Sequence, residues 1–422
     1  MINDAPLSRF EPLGKGLLRP IYADYSFANI PNTIEYLLTG VARGALLPAD
    51  CFAGNYPRPE KIVLFFVDSF GWQFFCQYRD RFRTLHLVSD RGTLTPISAL
   101  FPSTTAASVS TLNLGVLPAQ HALYEWNIYV PAYGEVIQSL AFTPLGRHPA
   151  DACVRMGYDP RRLLEVHETV HQRLKRAGVR SIQFAHTSYA TSAYNSIASA
   201  GAEIVRHTTL AEALVQLRQS LLAIPGKALL SFYWAAIDTI AHVHGPGSPH
   251  HAAEIASFWH TFDAIFAEVA AADTLYLFTA DHGHVRADPR DTLYLNETYP
   301  TLADCLPLSP TGNPIYPNGS PRDVFLHVRP ERRADVLALL ETSLENEALV
   351  LPMESAVAQG LFGPQAISEE LRRRLGDIVI LPYLGRFIWW REPGRLENRF
   401  RGHHGGLTRE ELITLIGAID QL

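Results

Sequence analysis

Short, largely apolar runs, each closed by polar residues or by Gly and Pro, are the feature that most limits what this chain can fold into. Ile62 to Val67, Ser181 to Ala185, Ala228 to Ala236 and Thr274 to Ala280 are of this kind. A strand that is apolar on both faces needs cover on both faces, the condition of a parallel sheet held between helices. Stretches of helical period separate these runs. Arg161 to Ala177 places Leu164, His167, Val170, His171 and Leu174 on one stripe and stops at Gly178, a natural C-terminal cap. Ala252 to Ala271 repeats Ile255, Trp259, Phe262, Phe266 and Val269 at the same period. The alternation predicts a three-layer α/β/α fold with a mostly parallel central sheet.

After His284 the texture changes. A Pro/Asn/Gly-rich connection from Pro300 to Pro321 leads into a strand at Val324 to Val328 and a helix at Ala334 to Leu344, then a helix at Ser368 to Leu375 and a strand at Ile378 to Leu381. Residues 285–401 therefore read as a smaller α/β subdomain inserted into a catalytic domain made of residues 1–284 and 402–422.

Composition excludes several classes. A net charge of −6 over 422 residues is the wrong sign for a protein that binds nucleic acid by bulk neutralisation of phosphates. The four cysteines, Cys51, Cys76, Cys153 and Cys305, are scattered, which argues against a disulfide scaffold or a thiolate zinc site. The first residues carry Asp4 and Pro6 where an export signal needs an apolar run, and no stretch is long enough to cross a bilayer. The expected location is the cytoplasm, with no membrane partner; oligomeric state is not legible.

Metal-ligand residue types stand at four places where a predicted strand ends or a helix begins. Asp68 follows the first strand, where it serves equally well as a helix cap. Asp238 and His242 stand four apart after the third, on one face of a helical turn, with His244 close by as a further ligand, a substrate contact or a loop residue. Asp281 and His282 leave the fourth strand together. Adjacent residues there share an ion only if the backbone turns, which Gly283 permits; His284 reads as incidental. His403 and His404 lie among glycines before a helix in which Thr408 and Glu411 match a capping box. Jointly these supply oxygen and nitrogen donors without sulfur, a set suited to two divalent ions of a hydrolytic centre. The nucleophile then belongs at a helix N-terminus, whose free N–H groups favour an anion. The segment FPSTTAAS offers Ser103, Thr104, Thr105 and Ser108 for that role.

The order and wording of these motifs resemble the alkaline phosphatase superfamily and, within it, the type I phosphodiesterase/nucleotide pyrophosphatase family. Phe101, Pro102, Ser103, Thr105, Gly115, Pro118 and His121 match the pattern around the family's nucleophile. Asp238, His242, Gly245 and Pro246 match its D-x-x-x-H-x-x-G-P, Asp281, His282 and Gly283 its S-D-H-G-M, and Gly402, His404 and Gly405 its G-x-H-G. The resemblance runs through almost the whole chain. It implies an alkaline phosphatase-like fold and two divalent ions, zinc above all, one held by Asp68, Asp281, His282 and Thr105, the other by Asp238, His242 and His404. It further implies Thr105 as nucleophile, a phosphothreonine intermediate, and a small-molecule phosphate diester or nucleotide pyrophosphate as substrate.

The family's asparagine, which donates to a phosphoryl oxygen, falls on Ser108, and small residues, Ala106 and Ala107, replace bulky ones. Ser108 and His244 are the expected substrate contacts, with His284 a further candidate. The alternative is a phosphomonoester, phosphonate or sulfate ester hydrolase using the same two-metal site. A monoester's extra charge calls for a cation, for which Arg147 and Arg286 are candidates.

Overall fold

The computed structural model describes residues 1–146, 148–166, 168–267, 269 and 271–422. The central strands are β1 (Lys61–Val67), β2 (Thr93–Ser98), β3 (Arg180–His186), β4 (Glu203–His207), β5 (Ala228–Trp234), β6 (Thr274–Thr279) and β7 (Ile413–Ile419). Their order across the sheet is β2-β7-β6-β1-β5-β3-β4. From β6 to β4 the pairing is parallel, while β7 runs antiparallel to both of its neighbours.

The reason β1 is apolar at every position is visible in its packing. Ile62, Leu64 and Phe66 enter one core, Val63, Phe65 and Val67 the other, because successive side chains of a strand point to opposite faces. Helices α1 (Ile30–Thr39), α2 (Thr105–Leu114) and α3 (Val170–Arg176) cover the first face. Helix α5 (Pro249–Phe266) covers the second with Ile255, Trp259, Phe262 and Phe266, all buried. Fully burying one such side chain contributes ~1.5–3 kcal/mol, so the two faces supply most of the driving force for the layered fold.

Two local expectations are corrected. The expected helix from Arg161 to Ala177 is a 3-10 turn at Pro160–Leu163 followed by α3, because Thr169 Oγ1 accepts from the Gln172 N–H and starts a new helix there. His167, placed on that stripe, lies outside the described residues. The helix after Thr408 lasts only from Arg409 to Leu412 before β7 begins, since Glu411 turns inward to meet Arg322 through two 2.9 Å contacts, both side chains fully buried.

The inserted segment shares its sheet with an earlier stretch. A second sheet of seven strands among the described residues joins Ala348–Pro352, Ile378–Pro382, Asp323–Leu326 and Asn318–Ser320 to Asn127–Val130, Glu135–Gln138 and Thr143–Pro144. Residues 285–401 therefore do not complete this sheet alone. Gly319 pairs with Asn127, so a stretch that precedes the insertion supplies its far half.

Candidate active site

Strands β6, β1 and β5 are neighbours, and their C-terminal ends carry the acidic residues. Phe66 pairs with Thr279 and Val67 with Trp234, so Asp68, Asp281 and the start of helix α4 (Ala236–His244) emerge side by side from one edge. In open α/β sheets this edge, outside the carboxyl ends of the strands, is where sites are built. Just beyond β1 the backbone takes a left-handed turn at Ser69, with φ of 58°. That turn aims the Ser69 N–H at Asp281 Oδ1 (3.1 Å), which also accepts from the His282 N–H (3.1 Å). Two backbone donors thus hold one oxygen of Asp281 and leave Oδ2 facing the site, 3.2 Å from His282 Nε2.

Thr105 is the first residue of α2, with its hydroxyl among these groups. Oγ1 lies 3.4 and 3.3 Å from the two oxygens of Asp68 and 3.3 Å from His282 Nε2. The neighbouring hydroxyls have other partners: Ser103 Oγ donates to the Gly406 carbonyl, and the Thr104 side chain hydrogen-bonds Glu125. Asp68 also accepts from the Tyr233 hydroxyl.

A second group adjoins the first. On α4, His242 Nε2 is 3.4 Å from Asp238 Oδ2, and His284 and His404 approach Asp238 Oδ1 from the other side at 3.2 and 3.8 Å. One ligand atom from each of Asp238, His242, His284 and His404 lies within 4.8 Å of the others, as do those of Asp68, Asp238 and His282. The rings of His282 and His404 stack at 3.6 Å between centroids, so the groups are contiguous.

Outer contacts set which nitrogen each histidine offers. His242 Nδ1–H donates to the Gly402 carbonyl, His404 Nδ1–H to the Ser103 carbonyl and His282 Nδ1–H to the Gly283 carbonyl, at 2.8, 2.9 and 3.0 Å. Each bond fixes the tautomer that leaves Nε2 with a free lone pair pointing at carboxylates, the arrangement of metal-binding imidazoles. Burial, reinforced by the Asp281 and Asp238 carboxylates, drives the Asp68 carboxyl well above its usual range. Burial likewise holds His404 well below the imidazole range, as a neutral donor. Against burial, the Asp281 and Asp238 carboxylates raise the His282 imidazole above its usual range; a pocket that gathers three carboxylates draws positive charge, which a divalent cation supplies.

Close backbone approach explains two glycines. A Cβ on Gly283 would lie 2.0 Å from the Glu410 carbonyl oxygen, and one on Gly402 would lie 2.4 Å from the Ala241 carbonyl oxygen. Gly283 was expected to supply a left-handed turn, yet its φ is not positive; what it supplies is space.

All seven expected ligand residues, Asp68, Thr105, Asp238, His242, Asp281, His282 and His404, come together here. Ser108 and His244 do not. Ser108 is fully buried with no partner for its hydroxyl, outside the cavity that Thr105, Val109, Leu112 and Asn113 of the same helix line. His244 stacks on His250 at 3.9 Å; six residues after Asp238 it lies about 240° around the helix from it. Arg286 is exposed outside the cavity, and Arg147 lies outside the described residues. Sequence reasoning missed Tyr233 and Glu125. Glu125 lines the cavity near Thr104, and burial pushes its carboxyl up to about 7 against hydrogen bonds that favour its charge. A tyrosine next to the last residue of an apolar strand was the available signal for the first; none marked the second.

The cavity over these groups measures about 710 Å³. It runs from the metal-ligand cluster past Tyr189 and Tyr233 to apolar side chains of the sheet and helix layer, among them Leu64, Val109 and Leu229. No described helix is long and apolar enough to cross a membrane.

Comparison with known proteins bears on this geometry. Murine ectonucleotide pyrophosphatase/phosphodiesterase 5 superposes with a TM-score of 0.61 at 15% identity, over 85% of this chain and 87% of that one. The same protein in an inactive form in complex with AMP matches equally. Phosphonoacetate hydrolase from Sinorhizobium meliloti 1021, in complex with phosphonoacetate, has a TM-score of 0.61 at 18% identity, over 87% of this chain and 92% of that one. No curated protein sequence matches the chain. At these identities the likenesses show the fold. The model of the type I phosphodiesterase / nucleotide pyrophosphatase family matches residues 62–407, from the first core strand to the glycines after His404, and to that family of hydrolases the chain belongs.

Proposed function

We propose that the chain is a zinc-dependent hydrolase of phosphate diesters or nucleotide pyrophosphates that works through a phosphothreonine intermediate. The observation that carries this reading is the position of Thr105 Oγ1, at a helix N-terminus and within 3.4 Å of both Asp68 oxygens and His282 Nε2. Asp68, Asp281, His282 and Thr105 would hold one ion; Asp238, His242 and His404 would hold the other. When bound, the two ions supply Lewis acidity at the nucleophile and at the leaving oxygen, and oxygen and nitrogen donors of this type suit zinc.

The chain's own residues do the rest. Thr105, once its proton is gone, attacks phosphorus and expels one alkoxide, and water then cleaves the threonine ester. Its place as first residue of α2 points free helix N–H groups at the charge on the transferring phosphoryl group. Tyr233 donates to Asp68 and orients that carboxylate toward the hydroxyl. Leu64, Val109 and Leu229 make part of the cavity suited to the organic group of an ester.

Diesters are favoured over monoesters for a charge reason. Among the described residues lining the cavity, Arg395 is the only arginine or lysine, and it is exposed. The doubly charged phosphoryl end of a monoester would lack a buried cation, whereas a diester carries one charge less. The reading places the chain in the cytoplasm, in keeping with its four free cysteines. Zinc-loaded protein should cleave bis-p-nitrophenyl phosphate faster than p-nitrophenyl phosphate, and a chelator should abolish both. A preference for the monoester would transfer the assignment to phosphomonoester, phosphonate or sulfate ester chemistry.

A further inference from the structure

The geometry points to His284 as a direct ligand of the ion held by Asp238, His242 and His404, making that centre one carboxylate and three imidazoles. This deepens the two-ion reading and rests on it. Strand pairing places His284 beside the others. Residues Val285–Arg286 pair antiparallel with Gly402–His403, Val285 opposite His403 and Arg286 opposite Gly402, and the next pair in that register is His284 opposite His404. The ring is fully enclosed, with centroids 4.6 Å from His242 and 5.4 Å from His404.

Its nitrogen is aimed at a point and not at a partner. His284 Nε2 and Asp238 Oδ1 are 3.2 Å apart, and neither has a hydrogen-bond partner. Leaving a buried polar atom unpaired costs ~1–3 kcal/mol, and here two such atoms face the same spot. Four ligand atoms within 4.8 Å of one another can surround one small cation, for which nitrogen and oxygen donors belong at ~2.0–2.2 Å. A bonded ion satisfies both orphans at once. Space for the ring is provided by Gly402, where a Cβ would approach His284 Cε1 to 2.9 Å.

The consequence is an asymmetric pair of sites. One centre offers the carboxylates Asp68 and Asp281, one imidazole and a hydroxyl; the other offers one carboxylate and three imidazoles. Nitrogen-rich sets prefer zinc-like ions over magnesium or calcium, so the His284 centre should fill first and empty last.

The test uses the full chain labelled with 15N-histidine and loaded with 113Cd. Four imidazoles, those of His242, His282, His284 and His404, should show 113Cd–15N coupling, and His284→Gln should remove one of them. The same variant should weaken one of the two ions by ~10–100-fold in chelator competition and leave the other within about twofold. Three coupled rings in the wild-type protein, with His284 uncoupled, overturn the inference while leaving the two-ion site intact. Cadmium that binds without any imidazole coupling, or fails to bind, overturns both. The wild-type count decides the matter even where the variant fails to fold.

Discussion

Two groups of histidines in this molecule do opposite things. Behind helix α2, His121 donates from Nε2 to Thr111 Oγ1 (3.1 Å) and accepts the Leu123 N–H at Nδ1 (3.2 Å), while His171 spends its nitrogens on Ser181 Oγ and Asn113 Oδ1. At the strand ends, His242, His282 and His404 spend Nδ1 on a backbone carbonyl and keep Nε2 for carboxylates. His121, His171 and His282 are all buried, so burial does not separate them. What separates His121 and His171 from the three histidines at the strand ends is whether the second nitrogen has been used.

That contrast is broken or sharpened by three perturbations, taken in falling order of effect. Thr105→Ala should lower kcat for a diester by at least ~10⁴-fold, the scale for loss of a nucleophile, while bound zinc measured by atomic absorption stays within a few tenths of an equivalent. Loss of zinc along with activity would show that Thr105 anchors an ion first and attacks second. His404→Gln should weaken metal binding by more than ~10-fold in chelator competition and leave the unfolding midpoint of metal-free protein unchanged. His121→Gln should do the reverse, shifting the melt and sparing the metal affinity. If both variants did the same thing, hydrogen-bond completeness would not distinguish the classes.

Acid supplies the third perturbation. Burial holds His121 down at about 3, and His171 and His327 at about 4, below the ordinary imidazole value. A group whose pKa is depressed on folding contributes stability that is fully present above its unfolded pKa near 6.5. That stability drains as pH falls toward the folded value, by up to ~1.4 kcal/mol per pH unit for each fully buried histidine. Metal-free protein should therefore lose stability from pH 6.5 downward in urea titrations, and His121→Gln should flatten the slope between pH 6.5 and about 3. An unchanged slope would remove His121 from the packing class.

The acidic half of the site was legible in the sequence because it hangs on short-range features. Asp68, Asp238 and Asp281 each follow an apolar run, and a run of that kind announces a buried parallel strand whose C-terminal end faces the site. Asp238 and His242 stood out by helical spacing, and the family resemblance implied them as ligands. The errors arose where direction depended on distant contacts. Ser108 was expected at the substrate, yet its phase on α2 turns it out of the cavity. His244, equally polar and equally near in sequence, lies on the wrong side of α4. His284 read as incidental because nothing local shows that its short strand pairs with residues 402–403. The second sheet was not legible for the same reason, its halves being contributed by stretches nearly two hundred residues apart.

What the chain determined by itself was the layered architecture and the chemical inventory of the site. Periodicity and burial act over a few residues, and the types of donor available are a matter of composition. Tertiary structure alone decided which oxygen of Asp281 is tied down, which nitrogen of each histidine stays free, and that His284 joins His404. Those outcomes are set by pairing register and backbone contacts between segments remote along the chain, interactions that exist only once the sheet and its ribbons have assembled.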